Sequence, residues 1–386
     1  MKITGIDLSI LESPYEYGME DDADDSRGPK YAMVVRVRTD EGITGYADCD
    51  SHPHIMKALI DAPSYLPAFC EGLKYAVIGQ NPFEYEKIWR DMYQSAFYHG
   101  RRGAAIHAMS AIDIAIWDII GKAANQPVSS MLGGRKHERV KAYASTLFRH
   151  SQDEMRRAVD KYRNMGFKAI KFGWGIVTKE PKRVVDLVAA ARAEAGSEID
   201  IMVDGMWSAD VKQVIGLVKQ LEQYDVFFVE EPLVSDNLPG YKKLANSVNA
   251  RIACGEQLAG LFEYEQLIRD GDVDIIQPDL SRAGGLTEAK KLVTMVEQAG
   301  KLLIPHAWTS DLLTAASLHL NSYQTNPVFQ EFCTNDSPLS RALAVNPLVL
   351  HSDGYLDVPK AAGLGIEVNE EVVERYTIDR LKIENL

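Results

Sequence analysis

Three acidic residues follow apolar stretches at equal intervals in the middle of the chain. Asp204 ends the run IMVD, Glu230 ends FFVE and Glu256 ends ACGE, with 26 residues from each acid to the next. That interval is typical of a strand plus a helix, so each acid would end one of three consecutive parallel strands. Converging carboxylates repel one another unless a cation lies among them, and their hard oxygens suit Mg²⁺. The pattern predicts a magnesium site.

The next two predicted strands end in an acid and a histidine. Asp279 follows DIIQP, and His306 follows LLIP. A carboxylate beside an imidazole orients the ring and raises its basicity, which predicts a general base. Glu331, after VFQ, places another carboxyl group at the end of an eighth strand.

A lysine can complete this group of charges. In the stretch KAIKFG, strand periodicity predicts that Lys171 points inward and that Lys168 faces solvent. An inward lysine near an anionic intermediate can stabilise its charge or transfer a proton.

The elements that must position these residues alternate regularly. From about residue 140, short apolar runs recur every 25 residues or so, with amphipathic helices between them, which predicts parallel βα units closing into a barrel. The first 130 or so residues read instead as an α+β region. They contain a strand over Lys2–Ser13, a hairpin over Tyr31–Arg38 and Gly42–Ala47, and a buried helix over Ala104–Ala124.

Composition narrows the class of protein. The 386 residues carry 42 Lys plus Arg against 55 Asp plus Glu, a formal charge of −13, which disfavours nucleic acid as a ligand. The four cysteines form no CxxC pair, which indicates reduced thiols. The first residues resemble neither a signal peptide nor a membrane span. We expect a soluble cytoplasmic protein that binds no membrane.

Several longer motifs together resemble the mandelate racemase subgroup of the enolase superfamily, over nearly the whole chain. They are RRGAAIHAMSAIDIAIWD from Arg101, LGG at Leu132–Gly134, VEEP at Val229–Pro232, GEQ at Gly255–Gln257 and DLSRAGG at Asp279–Gly285.

The resemblance implies an α/β fold, a modified (β/α)₇β TIM-type barrel under an α+β capping domain. The cap would comprise residues 1–130 and a returning C-terminal segment, 353–386, with the barrel between them at 131–352. Mg²⁺ would lie on the three acids at the strand ends, and His306 with Asp279 would remove the proton α to a carboxylate. Lys171 would stabilise the enediolate, and Glu331 would donate a hydrogen bond to the substrate carboxylate. The family also suggests homo-oligomers, dimers assembled into tetramers or octamers.

Residues at three positions bear on which reaction and substrate of the superfamily this chain could have. Asp279 stands where the muconate-lactonising branch has lysine, so that branch is disfavoured. Gly173 replaces the second lysine of the KxK motif of racemases, which leaves a base on one face. Met206 stands where relatives often have asparagine, so the sequence does not determine the identity of the substrate.

A histidine base on one face of the substrate resembles the arrangement in dehydratases of 2R aldonates. Aldarates are further candidate substrates, and the product would be a 2-keto-3-deoxy sugar acid. The alternatives are a sugar-lactone cycloisomerase or a racemase or epimerase on the same scaffold, and more remotely a non-catalytic binding protein. Six residues near predicted strand ends or in the N-terminal region could contact the substrate: Arg149, His150, Trp174, Tyr15, Tyr17 and His52.

Overall fold

The computed structural model of the chain describes residues 1–13, 30–205, 208, 210–335 and 337–384. Tyr15 and Tyr17, two of the predicted substrate contacts, lie outside the described residues, as does Met206.

Thirteen strands are present in the described residues. In chain order they are β1 Ile3–Ser13, β2 Lys30–Thr39, β3 Thr44–Ala47, β4 Arg139–Leu147, β5 Ala169–Gly173, β6 Asp200–Asp204, β7 Val226–Glu230, β8 Arg251–Cys254, β9 Ile275–Ile276, β10 Leu302–Leu303, β11 Gln330–Cys333, β12 Tyr355–Asp357 and β13 Thr377–Glu384.

Fifteen α-helices accompany these strands in the same part of the chain. They are α1 Pro53–Asp61, α2 Lys74–Val77, α3 Tyr85–Ser95, α4 Ala104–Ala123, α5 Val128–Met131, α6 Gln152–Asn164, α7 Ile176–Lys179, α8 Arg183–Ala195, α9 Val211–Leu221, α10 Leu238–Ala245, α11 Leu261–Gln266, α12 Gly285–Gln298, α13 Asp311–Tyr323, α14 Pro338–Arg341 and α15 Glu370–Tyr376.

The cap is built around a four-stranded antiparallel sheet in the order β13-β1-β2-β3. Strand β13, from the C-terminal tail, pairs with β1 from Gly5 opposite Glu384 to Leu11 opposite Thr377. The two ends of the chain therefore share one sheet, as the fold class predicted.

The barrel sheet runs in the order β11-β4-β5-β6-β7-β8-β9-β10, and every neighbouring pair is parallel. Helices α6 to α13 lie in the seven connections between these eight strands. The prediction of a modified (β/α)₇β barrel with an α+β cap is confirmed. The exact domain boundaries stay a prediction.

Eight side chains, each in or next to a different barrel strand, form a buried apolar cluster of their own. Inward-facing residues of parallel strands stack in layers inside a barrel, and this cluster is one such layer. Its members are Tyr143, Ala169, Met202, Phe228, Ala253, Ile275, Ile304 and Phe329.

Helix α4 is the central helix of the cap. It is long and apolar enough to cross a membrane, but 89% of its most apolar window is buried inside the protein. It packs on β3 and on the barrel helix α12. Its apolar composition is therefore explained by burial within the fold.

Candidate active site

The candidate site is the layer of side chains directly above the apolar cluster. Residues two apart on a strand face the same way, so each barrel strand carries a second inward residue nearer its C-terminal end. These second residues are mostly polar, and they include five predicted from sequence. In strand order the polar ones are Ser145, Lys171, Asp204, Glu230, Gln277, His306 and Glu331.

Lys171 lies among three carboxylates at the base of this layer. Its Nζ is 2.6 Å from Glu230 Oε1, 3.0 Å from Glu331 Oε1 and 3.6 Å from Asp204 Oδ2. The lysine and all three acids are buried, whereas Lys168 on the same segment is exposed. Burial favours the neutral amine, but Glu230 and Glu331 outweigh it and raise the pKa of Lys171 well above its usual value.

The acids at this end carry more negative charge than Lys171 balances. Burial raises the pKa of Glu230 to about 7, although Lys171 opposes the shift and Glu256 adds to it. Burial and the charge of Glu230 raise the pKa of Asp204 well above its usual range. The rise in both pKa values shows that Lys171, although close to the two acids, does not offset their burial and mutual repulsion.

His306 and Asp279 form a hydrogen-bonded pair at the neighbouring strand ends. His306 Nδ1 lies 2.7 Å from Asp279 Oδ2, so the other ring nitrogen, Nε2, faces Glu256 Oε2 at 3.3 Å. Burial alone would lower the pKa of His306, but Glu256, Glu331 and Asp279 raise it well above its ordinary value. Burial likewise opposes ionisation of Asp279, yet its bonds to His306 and the charge of Arg282 lower its pKa.

Supporting side chains hold the acids in place. Gln277 Nε2 donates to Glu230 Oε2 at 2.7 Å. Glu231, in the VEEP motif, accepts from Gly255 N at 3.3 Å and from the side-chain amide Nε2 of Gln257 at 2.7 Å, so it contacts the residue on each side of Glu256. Its backbone has a φ of 40°, a strained value for a side-chain-bearing residue that is typical of functional sites.

The site opens into a cavity of about 330 Å³ below the cap. Carboxylate, ammonium and imidazole groups line its floor, and two tryptophans, Trp174 and Trp308, belong to its wall. The full lining is Asp50, Ser145, Thr146, Leu147, Lys171, Trp174, Asp204, Glu256, Arg282, His306, Trp308 and Glu331.

Of the predicted substrate contacts that the structure describes, one lines this cavity and three do not. Trp174 lines it, with 39% of the residue exposed. Among the described residues, Arg149, His150 and His52 are not in its lining. Arg149 is buried and donates to Leu147 O at 2.9 Å and to Thr146 Oγ1 at 3.3 Å, while His150 and His52 are exposed.

Sequence reasoning missed five of the wall residues besides Ser145. Arg282 and Asp50 pair at 2.6 Å across the boundary between barrel and cap. Arg282 lies inside the DLSRAGG motif, and Trp308 follows His306 by two residues. Closeness in sequence to predicted site residues therefore indicates both of them. Asp50, Thr146 and Leu147 carried no such signal.

Two acidic groupings could be considered for a cation. Asp50, Asp279 and His306 bring one ligand atom each within 4.8 Å of one another. In that grouping, however, Asp50 is paired with Arg282, and Asp279 already accepts from His306. The strand-end acids Asp204, Glu230 and Glu256 are buried and supply three carboxylates beside the single ammonium of Lys171, so their hard oxygens fit a divalent cation better.

Gly173, at the end of β5, lies against one of these acids. A Cβ built on Gly173 would lie 2.5 Å from Asp204 Oδ2, and Gly173 is the neighbour of Asp204 in the strand register. A side chain at position 173 would therefore displace the Asp204 carboxylate.

Comparison with known families agrees with this architecture. The model of the mandelate racemase / muconate lactonizing enzyme N-terminal domain matches residues 23–133, and that of the enolase C-terminal domain-like family matches residues 154–372. The chain belongs to the enolase superfamily, in its mandelate racemase subgroup, and the resemblance seen in the motifs is confirmed.

Its relatives include enzymes of two kinds. D-Galactonate dehydratase of Pectobacterium atrosepticum is 31% identical over 90% of this chain and 91% of its own length. D-Galactarolactone cycloisomerase of Agrobacterium fabrum is 30% identical over 97% of this chain and 99% of its own. The crystal structure of the 3,6-anhydro-D-galactonate cycloisomerase of Zobellia galactanivorans superposes with a TM-score of 0.85 at 27% identity, covering 98% of this chain and 100% of that one.

Proposed function

We propose that the protein is a Mg²⁺-dependent dehydratase of a sugar acid. It would remove the proton α to the carboxylate and expel the 3-hydroxyl group, giving a 2-keto-3-deoxy sugar acid. The observation that carries this proposal is the buried His306–Asp279 pair facing the cavity, with glycine at position 173 where a racemase of the subgroup has its second base. The similarity to D-galactonate dehydratase supports the same reaction class.

Asp204, Glu230 and Glu256 would hold the Mg²⁺. When bound, the ion supplies Lewis-acid stabilisation to the substrate carboxylate as negative charge develops on it. The raised pKa values of Asp204 and Glu230 support this assignment, because burial and repulsion between the acids outweigh the positive charge of Lys171.

The chain's own residues account for the proton transfers. His306 Nε2 takes the α-proton in the neutral form of the ring, which requires the charge of Glu256 that raises the pKa of His306 to be offset. Asp279 holds Nδ1–H and so fixes the ring orientation and tautomer. Lys171, a buried ammonium at the cavity floor, stabilises the negative charge of the enediolate. The C3–O bond then breaks, His306 returns its proton to the departing hydroxyl as water, and the enol becomes the 2-keto acid.

Glu331 needs a different protonation state for the role that the family resemblance implies. The charges of Lys171 and His306 outweigh burial and lower the pKa of Glu331 to about 2. An ionised carboxylate accepts hydrogen bonds, and Glu331 Oε2 accepts from Ala307 N at 2.7 Å. We propose that Glu331 positions Lys171 and the His306 loop, and that it donates to substrate only when it takes up a proton.

The substrate class is best tested with a library of mono- and diacid sugars. We expect 2R aldonates such as L-rhamnonate, L-lyxonate, L-mannonate, D-gluconate and D-galactonate to be the best candidates, with aldarates such as galactarate behind them. The protein is incubated with Mg²⁺ and each compound, and 2-keto-3-deoxy acids are assayed. If none of these compounds is turned over, the dehydratase proposal is wrong.

A sugar-lactone cycloisomerase is the second candidate, because the Agrobacterium fabrum relative of that activity matches 97% of the chain. It too requires proton transfer α to a carbonyl. Product NMR separates the two reactions, since isomerisation loses no water. Formation of a C2 epimer would instead indicate a racemase or epimerase, and absence of both turnover and Mg²⁺ binding would indicate a binding protein.

His306→Asn tests the base directly. The variant should lose exchange of the substrate α-proton in deuterated water by about 100-fold or more, because general-base catalysis contributes about 10²–10⁴-fold. Exchange is followed by ¹H NMR. His99→Asn, at an exposed histidine of the cap, should retain the wild-type rate. Exchange at the wild-type rate in His306→Asn would show that another group is the base.

A further inference from the structure

A short segment of the cap, residues 48–50, contacts both barrel loops that carry the proposed base. We call Asp48, Cys49 and Asp50 the cap clamp. Asp48 Oδ2 accepts from Thr309 Oγ1 at 2.7 Å and from Ser310 Oγ at 2.6 Å, in the loop that follows His306. The other two residues of the cap clamp contact the loop that follows Asp279.

Ser281 is the point at which the cap clamp reaches the His306–Asp279 pair. Asp50 N donates to Ser281 Oγ at 2.9 Å, and Cys49 Sγ lies 3.3 Å from Ser281 O. Ser281 Oγ in turn donates to Asp279 Oδ1 at 2.6 Å, and Ser281 N donates to the same oxygen at 2.7 Å. The serine is completely buried.

The direction of this chain of hydrogen bonds is determined by its ends. A backbone N–H can only donate, and an ionised carboxylate can only accept, so the Ser281 hydroxyl must accept from Asp50 and donate to Asp279. The two oxygens of Asp279 are thereby divided, with Oδ1 bonded to Ser281 and Oδ2 to His306. Because each oxygen has its own donor, the two hydrogen bonds fix the orientation of the Asp279 carboxylate.

We infer that Ser281 is a positioning residue that couples docking of the cap to the orientation of the His306–Asp279 pair. This inference rests on the proposed function only in taking that pair as the base. When the cap clamp is seated, Asp50 N–H orients the serine hydroxyl, the hydroxyl orients Asp279, and Asp279 orients the imidazole. The base is then held ready only beneath a docked cap.

The chain offers a matched control at the same boundary. Ser110, on α4 of the cap, is also completely buried, and its Oγ accepts from Gly284 N at 2.8 Å in the same barrel loop. It donates to Ile106 O at 2.7 Å, within its own helix, and not to the His306–Asp279 pair. Ser110→Ala therefore removes a comparable bond between cap and barrel without touching the base.

The experiment compares Ser281→Ala, Ser281→Thr and Ser110→Ala with the wild type in the presence of Mg²⁺. Ser281→Ala should lower kcat and α-proton exchange together by about 10- to 100-fold, the effect of losing a hydrogen bond to a charged group, with KM changed less than about threefold. Ser281→Thr, which keeps the hydroxyl, should recover most of the rate. Ser110→Ala should lose thermal stability to a similar extent but keep the wild-type rate.

A second measurement does not depend on the substrate. The Nδ1–H proton shared by His306 and Asp279 should give a low-field ¹H resonance, assigned by its absence in His306→Asn. It should move upfield or broaden in Ser281→Ala and stay in place in Ser281→Thr and Ser110→Ala.

The outcomes separate this inference from the proposed function. If the wild type turns over no sugar acid but the resonance moves in Ser281→Ala alone, the proposed function fails and the positioning role stands. An unchanged resonance in Ser281→Ala would overturn the positioning role whatever the substrate. Equal loss of rate in Ser110→Ala and Ser281→Ala would also overturn it, because it would indicate general damage to the boundary.

Discussion

At the scale of single residues, Gly173 distinguishes this site from one with two opposing bases. Its backbone lies so close to Asp204 that the space of a Cβ is already taken by the Asp204 carboxylate. Glycine at position 173 therefore has two effects. It removes the second base of the racemases, and it leaves room for the carboxylate of Asp204, a proposed metal ligand.

Gly173→Ala should weaken Mg²⁺ binding by about 10- to 100-fold, the range seen when groups next to metal ligands are changed. The added Cβ would move the Asp204 carboxylate, and isothermal calorimetry with Mg²⁺ measures the loss. Gly216→Ala is the control, because nothing lies within 4 Å of its Cβ position on α9. Unaltered Mg²⁺ affinity in Gly173→Ala would argue against Asp204 as a ligand.

At the scale of elements, a buried polar cluster of Asp113, Trp117 and Thr287 joins helix α4 of the cap to helix α12 of the barrel. Thr287 Oγ1 donates to Asp113 Oδ1 at 2.5 Å and accepts from Trp117 Nε1 at 2.9 Å, and Thr287 N donates to Asp113 Oδ2. Burial raises the pKa of Asp113 to about 7, while the bonds from Thr287 oppose the rise. Buried polar groups of this kind depend on every partner.

Thr287→Val keeps the volume of the side chain but removes the hydroxyl. It removes the hydrogen-bond partner of Asp113 Oδ1 and of Trp117 Nε1 but leaves the bond from Thr287 N to Asp113 Oδ2, so the free energy of unfolding should fall by about 1–3 kcal/mol. Urea denaturation measures this, with Thr325→Val, at an exposed threonine, expected to stay within about 0.5 kcal/mol of wild type. Equal stability of the two variants would show that the α4–α12 contact does not depend on this group.

At the scale of the whole molecule, His319 ties three distant parts of the chain together. Its Nδ1 accepts from Ser129 N at the start of α5, and its Nε2 lies 3.1 Å from Leu364 O in the C-terminal segment. The ring must be neutral to accept at Nδ1, and burial lowers the pKa of His319 to about 4.

The lowered pKa of His319 predicts loss of stability in acid. Its folded pKa lies below the ordinary value of 6.5, so its contribution is full above that pH and is lost as the pH falls from 6.5 towards 4. At pH 5 the loss relative to pH 7.5 should be about 2 kcal/mol.

His319→Gln, whose amide does not titrate, should lack this part of the pH dependence. Chemical denaturation of both proteins at pH 7.5 and 5 measures the difference. His107, whose pKa burial also lowers to about 4, remains in both and cancels. The same pH dependence in wild type and variant would show that His319 does not titrate on unfolding. Assembly into dimer-based oligomers and the cytoplasmic location stay predictions at this scale.

Much of the fold could be read from the sequence because its signals are local. An apolar run followed by an acid marks a strand and its C-terminal end, and the predicted strand-end acids Asp204 and Glu230 are the last residues of β6 and β7. The tail was less accessible. We expect from the resemblance only that residues 353–386 return to the cap; β13 does so, whereas helix α15 and the pairing of β12 with β4 of the barrel carry no signal in the sequence.

The sequence by itself determined the family, the barrel and the polar layer that contains Lys171, Asp204 and Glu331. Strand periodicity and strand ends are properties of neighbouring residues, so they survive in the linear order. Only the tertiary structure decided that Arg149 turns toward Thr146 and that Asp50 meets Arg282. Beyond a strand end the backbone direction depends on packing, and contacts between residues more than 200 positions apart exist only once the cap is folded onto the barrel.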